Sequence, residues 1–482
     1  MKNYINQPKK STKKIRIDNF FKGVESAFDQ SVLPQDIAVQ NYNFDFFSGA
    51  LTDGYGVEQY APLADFLADR LFVFKQNCTK TNQTNQTLLL SQNGQIYTHF
   101  RQQIGAKKQP LKINGRLKGI NYRLLGEDVL LINSSSDNMA VFNGTDTPYF
   151  VDNSPQINAL SVHLDRLFVT DIDGENLRFS TDLDPTNWTK SLSEGGYIKM
   201  VDDRGRIGNL VSFLNHLYIF RENGISRLSN FADQSTFSLT NLFVSSGKIF
   251  FDSVALIGDR IVFLASDGLY LFDGFSTKRV LTNLTNVLNP TTNAKGFGVG
   301  GKYFLACNLK MDDKSDGNDD KDGDKNDDNL DKNDSVGGGL ANNGLVVFEP
   351  SLDKYALSLG FCISDFAFFE DQILVLSGKK VGVLKQNGKN FDKDLTKKWV
   401  SPMTDLGTEN SKVLTEFSID TNVDMTFFVK SEERGEQFDI KKSNSAQKIK
   451  VNLKGNKLSF GIFTTKSGCL ITRPVLTIVD RG

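Results

Sequence analysis

The sequence predicts an all-β protein: a β-propeller of six or seven blades with a C-terminal β-sandwich-like domain. Three observations carry that expectation. Seven turn-and-strand units recur between Ala68 and Ser377. Asn-Gly or Asp-Gly pairs stand at Asn93-Gly94, Asn223-Gly224, Asp267-Gly268 and Asn343-Gly344, and such pairs favour the positive φ angles that close a two-residue hairpin. Only one stretch, TKRVLTNLTNVLN from Thr277 to Asn289, has helical periodicity. Its Val280, Leu281, Leu284, Val287 and Leu288 share a helical face, which predicts one short helix on a blade connection.

Residues 1–19 read as a basic N-terminal arm holding Lys2, Lys9, Lys10, Lys13, Lys14 and Arg16. It has no apolar h-region, so no Sec-type signal is expected. Basic arms contact nucleic acid or acidic protein surfaces, or simply stay solvated. Residues 20–62 read as a compact β docking segment.

The propeller is assigned to residues 63–396. Its seven units are ADRLFVFK, GEDVLLIN, LDRLFVTD, LNHLYIFR, GDRIVFLA, GGKYFLAC and EDQILVLS. Their turns fall at Asp69, Glu127, Asp165, Asn215, Asp259, Gly301 and Asp371, at intervals of 58, 38, 50, 44, 42 and 70. Each unit is followed by a partner run, such as GQIYTHF from Gly94 or GLYLFDG from Gly268. A period of about 40–50 residues with four short strands is the signature of propeller blades. Radial packing covers both faces of each sheet and leaves only short edges. An array of β-sandwiches is the alternative architecture.

One segment departs from the repeat. Met311 to Asp334 holds 11 Asp and 4 Lys, a net charge of -7. With GGGLANNG it forms an expected disordered acidic loop, 311–343, because so polar a stretch cannot bury enough apolar surface to order itself. Asp320, Asp322, Asp324 and Asn326 alternate around Gly323, which loosely resembles an oxygen-rich calcium loop. The Gly and the closing Glu of an EF-hand are out of register, so specific calcium binding stays an open question. Beyond Lys397 the runs shorten to LTEFSID, DMTFFVK, KIKVNL, KLSFGIF and PVLTIVD, which read as a separate C-terminal β-sandwich-like domain, 397–482.

Composition narrows the chemistry. The 482 residues have a mean hydropathy of -0.31 and a net charge of -1, which argues against nucleic-acid binding by the whole chain. No apolar run reaches the ~18 residues of a membrane helix. Cys78, Cys307, Cys362 and Cys469 have no CxxC spacing, so free thiols in a reducing cytoplasm are expected. A Ser-His-Asp triad could draw on His163 and Asp165, yet no GxSxG elbow exists. His163 and His216 sit beside repeat turns, as ordinary strand-end residues do. A glycosidase pair could draw on Asp173, Asp182, Asp184, Asp202 and Asp203, all in turns where Asp bonds backbone. No catalytic residue, cofactor-binding residue, cofactor or metal ligand is therefore assigned.

Two long stretches carry a resemblance. One runs DRLFVTDIDGENLRFSTDLDPTNW from Asp165 to Trp188 and continues into GGYIKMVDDRGRIGNLVSFLNHLYIFRENGISRLS. The other is LPQDIAVQNYNFDFFSGALTDGYG from Leu33 to Gly56, and WVSPMTDLG from Trp399 adds a third, shorter piece. On these stretches the chain resembles phage tail nozzle proteins, also called tail tubular protein B, and related prophage tail proteins with a β-propeller. The acidic insertion and the short length depart from that pattern. The resemblance implies a virion structural protein, not an enzyme, assembled in the host bacterial cytoplasm. It implies a homo-oligomeric ring of about six copies below the phage portal and adaptor, in contact with other tail proteins and transiently with exiting DNA. A carbohydrate-binding or glycan-cleaving propeller and a cellular scaffold propeller remain as alternatives.

Overall fold

The computed structural model describes residues 11–480 apart from 19, 21, 79–82, 106–110, 146–147, 192–193, 230–233, 311–341 and 444. Regular structure among them is β-strand and short 3-10 turns. Seven successive sheets make a seven-bladed β-propeller; the strands of blades 1 to 5 follow one another antiparallel in chain order. Blade 1 holds Arg70–Cys78, Gln83–Gln92 and Gln95–Thr98; blade 2 runs from Leu117–Leu124 to Tyr149–Phe150. Blade 3 runs from Ile157–His163 to Gly196–Lys199, and blade 4 from Ile207–Phe213 to Ser238–Val244. Blade 5 runs from Ala255–Ile257 to Thr277–Val280, and blade 6 from Lys295–Val299 to Lys354–Leu359. Blade 7 takes Ile363–Phe369, Gln372–Ser377 and Lys380–Lys385, and its outer strand is Gly56–Gln59 from the N-terminal side. That strand ties the last blade to the start of the chain and closes the ring. The first strand of blade 7 also packs on that of blade 1.

In six blades the recurring unit of the sequence is the second strand. In blade 1 it is the first strand, Arg70–Cys78, with Gln83–Gln92 second. This shift explains the long first interval of 58 residues.

The helix expected at 277–289 does not form. Thr277–Val280 pairs with blade 5 instead, and Leu281 turns to φ 50° before a 3-10 turn at Thr282–Leu284. Its apolar residues alternate into the core as well as they would on a helix, and the open edge of Gly268–Phe272 supplies hydrogen bonds that a lone helical turn lacks.

The other correction concerns the glycine turns. Only Asn93-Gly94 has positive φ at both residues, 50° and 80°. In blade 4 Gly224 already pairs with Arg221, and in blade 5 Gly268 pairs with Ala265, so each glycine opens a strand. A side chain at Gly224 would come 2.4 Å from Phe243 O. Close approach of the fourth strand, not turn geometry, demands that glycine.

Residues 397–480 form two packed sheets. One joins Leu470–Asp480, Lys412–Thr421 and Gln447–Gly455; the other joins Lys397–Val400, Leu458–Thr464, Met425–Ser431 and Gly435–Ile440. Between them Phe417 and Phe427 stack, and Trp399 and Phe460 are buried. N-terminal strands complete both sheets. Ser11–Arg16, within the expected arm, pairs with Leu470–Asp480; Leu51–Asp53 pairs with the same strand, and Gln40–Tyr42 with Lys397–Val400. The docking segment 20–62 is thus divided between the sandwich and blade 7, because each had an open sheet edge to fill.

The same segment bonds the sandwich to blades 5 and 6. Tyr355 Oη accepts from Val24 N at 2.7 Å and from Asn283 Nδ2 at 2.9 Å. Buried Asn43 accepts from Leu359 N at 2.7 Å and donates to Thr396 O at 2.7 Å. One continuous apolar core runs from Leu264 and Tyr303 through Phe20 and Phe46 to Trp399 and Phe417. The acidic loop 311–341, with its calcium question, lies outside the described residues. Asn342 and Asn343, expected in that loop, are ordered at its base: Asn343 accepts from Leu309 N at 2.8 Å and donates to Leu309 O at 3.0 Å.

Candidate functional site: the two ends of the propeller axis

In an up-and-down propeller all first strands run the same way. Their starts gather at one end of the axis, and the turns to the second strands gather at the other. The two ends of this propeller differ in chemistry.

At the starting end, charged side chains converge from five blades. Arg70 lies on blade 1, Arg116 and Lys118 on blade 2, Asp252 before blade 5, Lys295 on blade 6 and Asp365 on blade 7. Arg116 and Lys118 reach across the axis to Asp252 at 3.2 and 3.5 Å. Asp365 meets Lys295 at 3.3 Å and Arg70 at 3.8 Å, and accepts from Leu71 N at 3.0 Å. Desolvation works against the charge on Asp252, but Lys118, Lys295, Arg116 and Arg70 outweigh it and hold its carboxyl well below the usual range. Burial lowers the pKa of Lys118 more than Asp252 raises it. These ion pairs span this end of the axis.

At the turn end, blades 2 to 4 present leucines, whereas blades 5 to 7 turn on Gly258-Asp259, Gly300-Gly301 and Glu370-Asp371. Leu125, Leu164 and Leu214 each occupy the first position of a two-residue turn, with φ of 48°, 46° and 48°. Their partners Gly126, Asp165 and Asn215 also have positive φ. A bulky residue in this region is strained by roughly 1–2 kcal/mol, yet all three are exposed, Leu125 at 92%. Two more exposed apolar residues flank them. Leu183, at φ 59°, bonds its N–H to Asp165 O, and Phe275 follows Gly274, which packs near Leu214. The result is an arc of large apolar side chains across blades 2 to 5, edged by Asp165, Asp182 and Asp184. Burial, reinforced by these three carboxylates, pushes the Tyr122 hydroxyl up to about 12.

The sequence candidates fall around this frame. His163 ends the first strand of blade 3, and its Nδ1 lies 2.9 Å from Ser212 Oγ. Its Nε2 is buried without a partner, so no carboxylate completes a triad; Asp165 is in the turn, its carbonyl accepting from Tyr122 Oη at 2.6 Å. Burial, with a smaller effect from His216, lowers His163 to about 4. Burial also lowers His216, with Arg227 adding to the effect. Among the carboxylates, Asp184 accepts from Thr186 N and Oγ1 at 2.9 and 2.6 Å. Asp202 pairs with buried Arg221 at 2.8 Å, and Asp203 faces Arg204 at 3.6 Å. Asp173 is exposed at the opposite end from Asp182 and Asp184. These five residues do not assemble into an acid–base pair. The buried thiol of Cys307 is pushed up to about 12 by desolvation, and burial raises Cys469 as well. The strained leucines escaped the sequence reading, although a Leu preceding Gly, Asp or Asn between strands was visible three times.

No family model matches the chain, and no curated protein matches it. Among solved structures it is similar to PorZ, a surface component of the type-IX secretion system of Porphyromonas gingivalis, at 13% identity and a TM-score of 0.40. That match covers 66% of this chain and 37% of PorZ. It is also similar to virginiamycin B lyase from Staphylococcus aureus, at 9% identity and 0.40 over 69% of this chain and 98% of the lyase. BamB from Moraxella catarrhalis matches at 9% and 0.37, over 78% and 97%. At such scores the reading of the site rests on this chain's own residues.

Proposed function

We propose that the chain is a non-catalytic structural subunit of a phage or prophage-like tail, one of about six copies in a ring below the portal and adaptor, and that the leucine end of its propeller is a docking face. The observation that carries a docking role is the arc of Leu125, Leu164, Leu183, Leu214 and Phe275. Exposed apolar residues held at a conformational cost mark a binding surface better than exposed residues alone. The carboxylates at its edge suit a partner with apolar knobs and a basic rim. A blade ring closed by its own N-terminal strand, and a sandwich laced to blades 5 and 6, give the rigid wedge that a heterologous ring interface needs. The tail assignment itself rests on the resemblance. Within the ring, DNA would pass between subunits.

Cryo-electron microscopy of particles from the source bacterium tests this. A central ring with the leucine face covered supports the proposal. A peripheral fibre, or absence from particles, overturns the tail reading. A central ring with that face in solvent overturns the docking assignment alone.

A further inference from the structure

A cleft of about 500 Å³ lies between blades 2 and 3, away from the leucine arc. That is within the usual size for a small-ligand site. Its walls carry Asn138, Asn153, Gln156, Arg178, Trp188, Lys190 and Tyr197. Arg178 and Lys190 both lie against the Tyr197 ring, at 5.7 and 4.9 Å from its centre. Among the described residues neither cation has a carboxylate partner. Asp171 lines the same cleft, but its oxygens already accept from Asn176 Nδ2 and from the N–H groups of Glu175 and Asn176. Two donors here are buried and unused: Trp188 Nε1 and Arg178 Nε. An unmet buried donor is costly, and a ligand acceptor would relieve it.

The cleft therefore offers two cations that share one aromatic ring, two unpaired N–H donors buried in its wall, and amide side chains that can both donate and accept. We infer that it is a binding site for an anionic sugar, a pyranose bearing a carboxylate. The carboxylate sits between Arg178 and Lys190, Trp188 Nε1 donates to a ring or carboxylate oxygen, and Asn138 and Asn153 pair with hydroxyls. A neutral sugar would leave the cations unmet. A phosphate would satisfy the cations without using the aromatic wall and amides.

Isothermal titration of the full chain with trigalacturonate, the uncharged galactose trimer and glucose 6-phosphate tests this. Trigalacturonate should bind in the millimolar range or tighter and weaken as salt rises. Arg178→Gln should weaken it about tenfold, the loss of a charge-assisted contact. Lys190→Gln, at an exposed side chain, should do so by a smaller factor with an unchanged melting temperature. Trp188→Phe keeps the aromatic wall and removes the donor, and should cost about threefold. Equal binding of the neutral trimer, binding of the phosphosugar alone, or no binding of any probe overturns the inference. So does trigalacturonate binding that survives both charge substitutions.

Discussion

The two ends of the propeller axis are made by the same seven first strands, yet they manage their surfaces in opposite ways. At the starting end, four cations and two carboxylates from five blades bond to one another across the axis. At the turn end, leucines stand in solvent with positive φ and contact little of their own molecule. The first end is satisfied within the chain, so its residues report on stability. The second is not, and the docking proposal makes its residues report on a partner.

The largest expected effect breaks the satisfied end. Asp252→Ala leaves Lys118 and Arg116 without their shared carboxylate. Removing one member of a partly buried network costs about 3 kcal/mol. Chemical denaturation should show that loss, whereas the double change of Asp252→Asn with Lys118→Met should recover part of it. A loss below about 1 kcal/mol for Asp252→Ala would mean that water, not the carboxylate, balances these cations.

Acid should separate the two ends by pH window. His163 at the turn end has an unfolded pKa near 6.5 and a folded value of about 4. The unfolded chain therefore takes up the proton first, and stability falls as pH drops from 6.5 through 4, by up to about 3 kcal/mol. Asp252 has a folded pKa below its unfolded value of 3.8. Its contribution is complete above 3.8 and fades only below it. Melting temperatures of wild type and His163→Gln should differ in slope between pH 6.5 and 4 and run parallel above pH 7. Parallel curves throughout would show that the ring stays hydrated.

The joint between propeller and sandwich is intermediate. Tyr355→Phe removes the hydroxyl that accepts from Val24 N and Asn283 Nδ2. About 1–2 kcal/mol should be lost, because the buried Val24 N–H is left unpaired while Asn283 Nδ2 keeps its bond to Val24 O. Calorimetry should still show one transition, since the apolar core is continuous across the joint. Two separated transitions would show that the sandwich melts alone.

How legible all this was differs with the range of the forces involved. The seven units were readable because a second strand, buried on both faces, needs a solid apolar run: FLAC-like segments such as Ile261 to Ala265 are fully buried. The N-terminal strands were not readable as parts of two bodies. Ser11–Arg16 is mostly exposed and polar, and only a partner at the far end of the chain, Val475 to Asp480, decides that it is a strand. Thr277–Asn289 misled because residues spaced for a helical face can also point inward from a strand and a tight turn. The charged axis was invisible for the same reason as any long-range network: Arg116 and Asp252 are 136 residues apart. The cleft was partly visible, since Arg178, Trp188 and Tyr197 fall within the stretches that carry the resemblance, but its depth depends on blade 2.

The smallest change in stability should come from the leucine end, and its sign is the sharpest test of the comparison. Leu125, Leu164 and Leu214 hold φ near 47°, a region that Asn tolerates better than Leu. Their side chains are exposed by 49% or more, so little burial is lost on replacement. The triple change to Asn should leave the melting temperature unchanged or raise it, with a gain of up to about 1 kcal/mol. Under the proposed tail role, the same protein should fail to assemble into a ring, read by negative-stain microscopy of assembly reactions with a tail adaptor. Stability gained with assembly lost would mean that the strain at these turns is retained for the partner's sake. A destabilised triple variant would instead place the leucines among the packing residues of blades 2 to 4, and the two ends of the axis would then differ in chemistry but not in role.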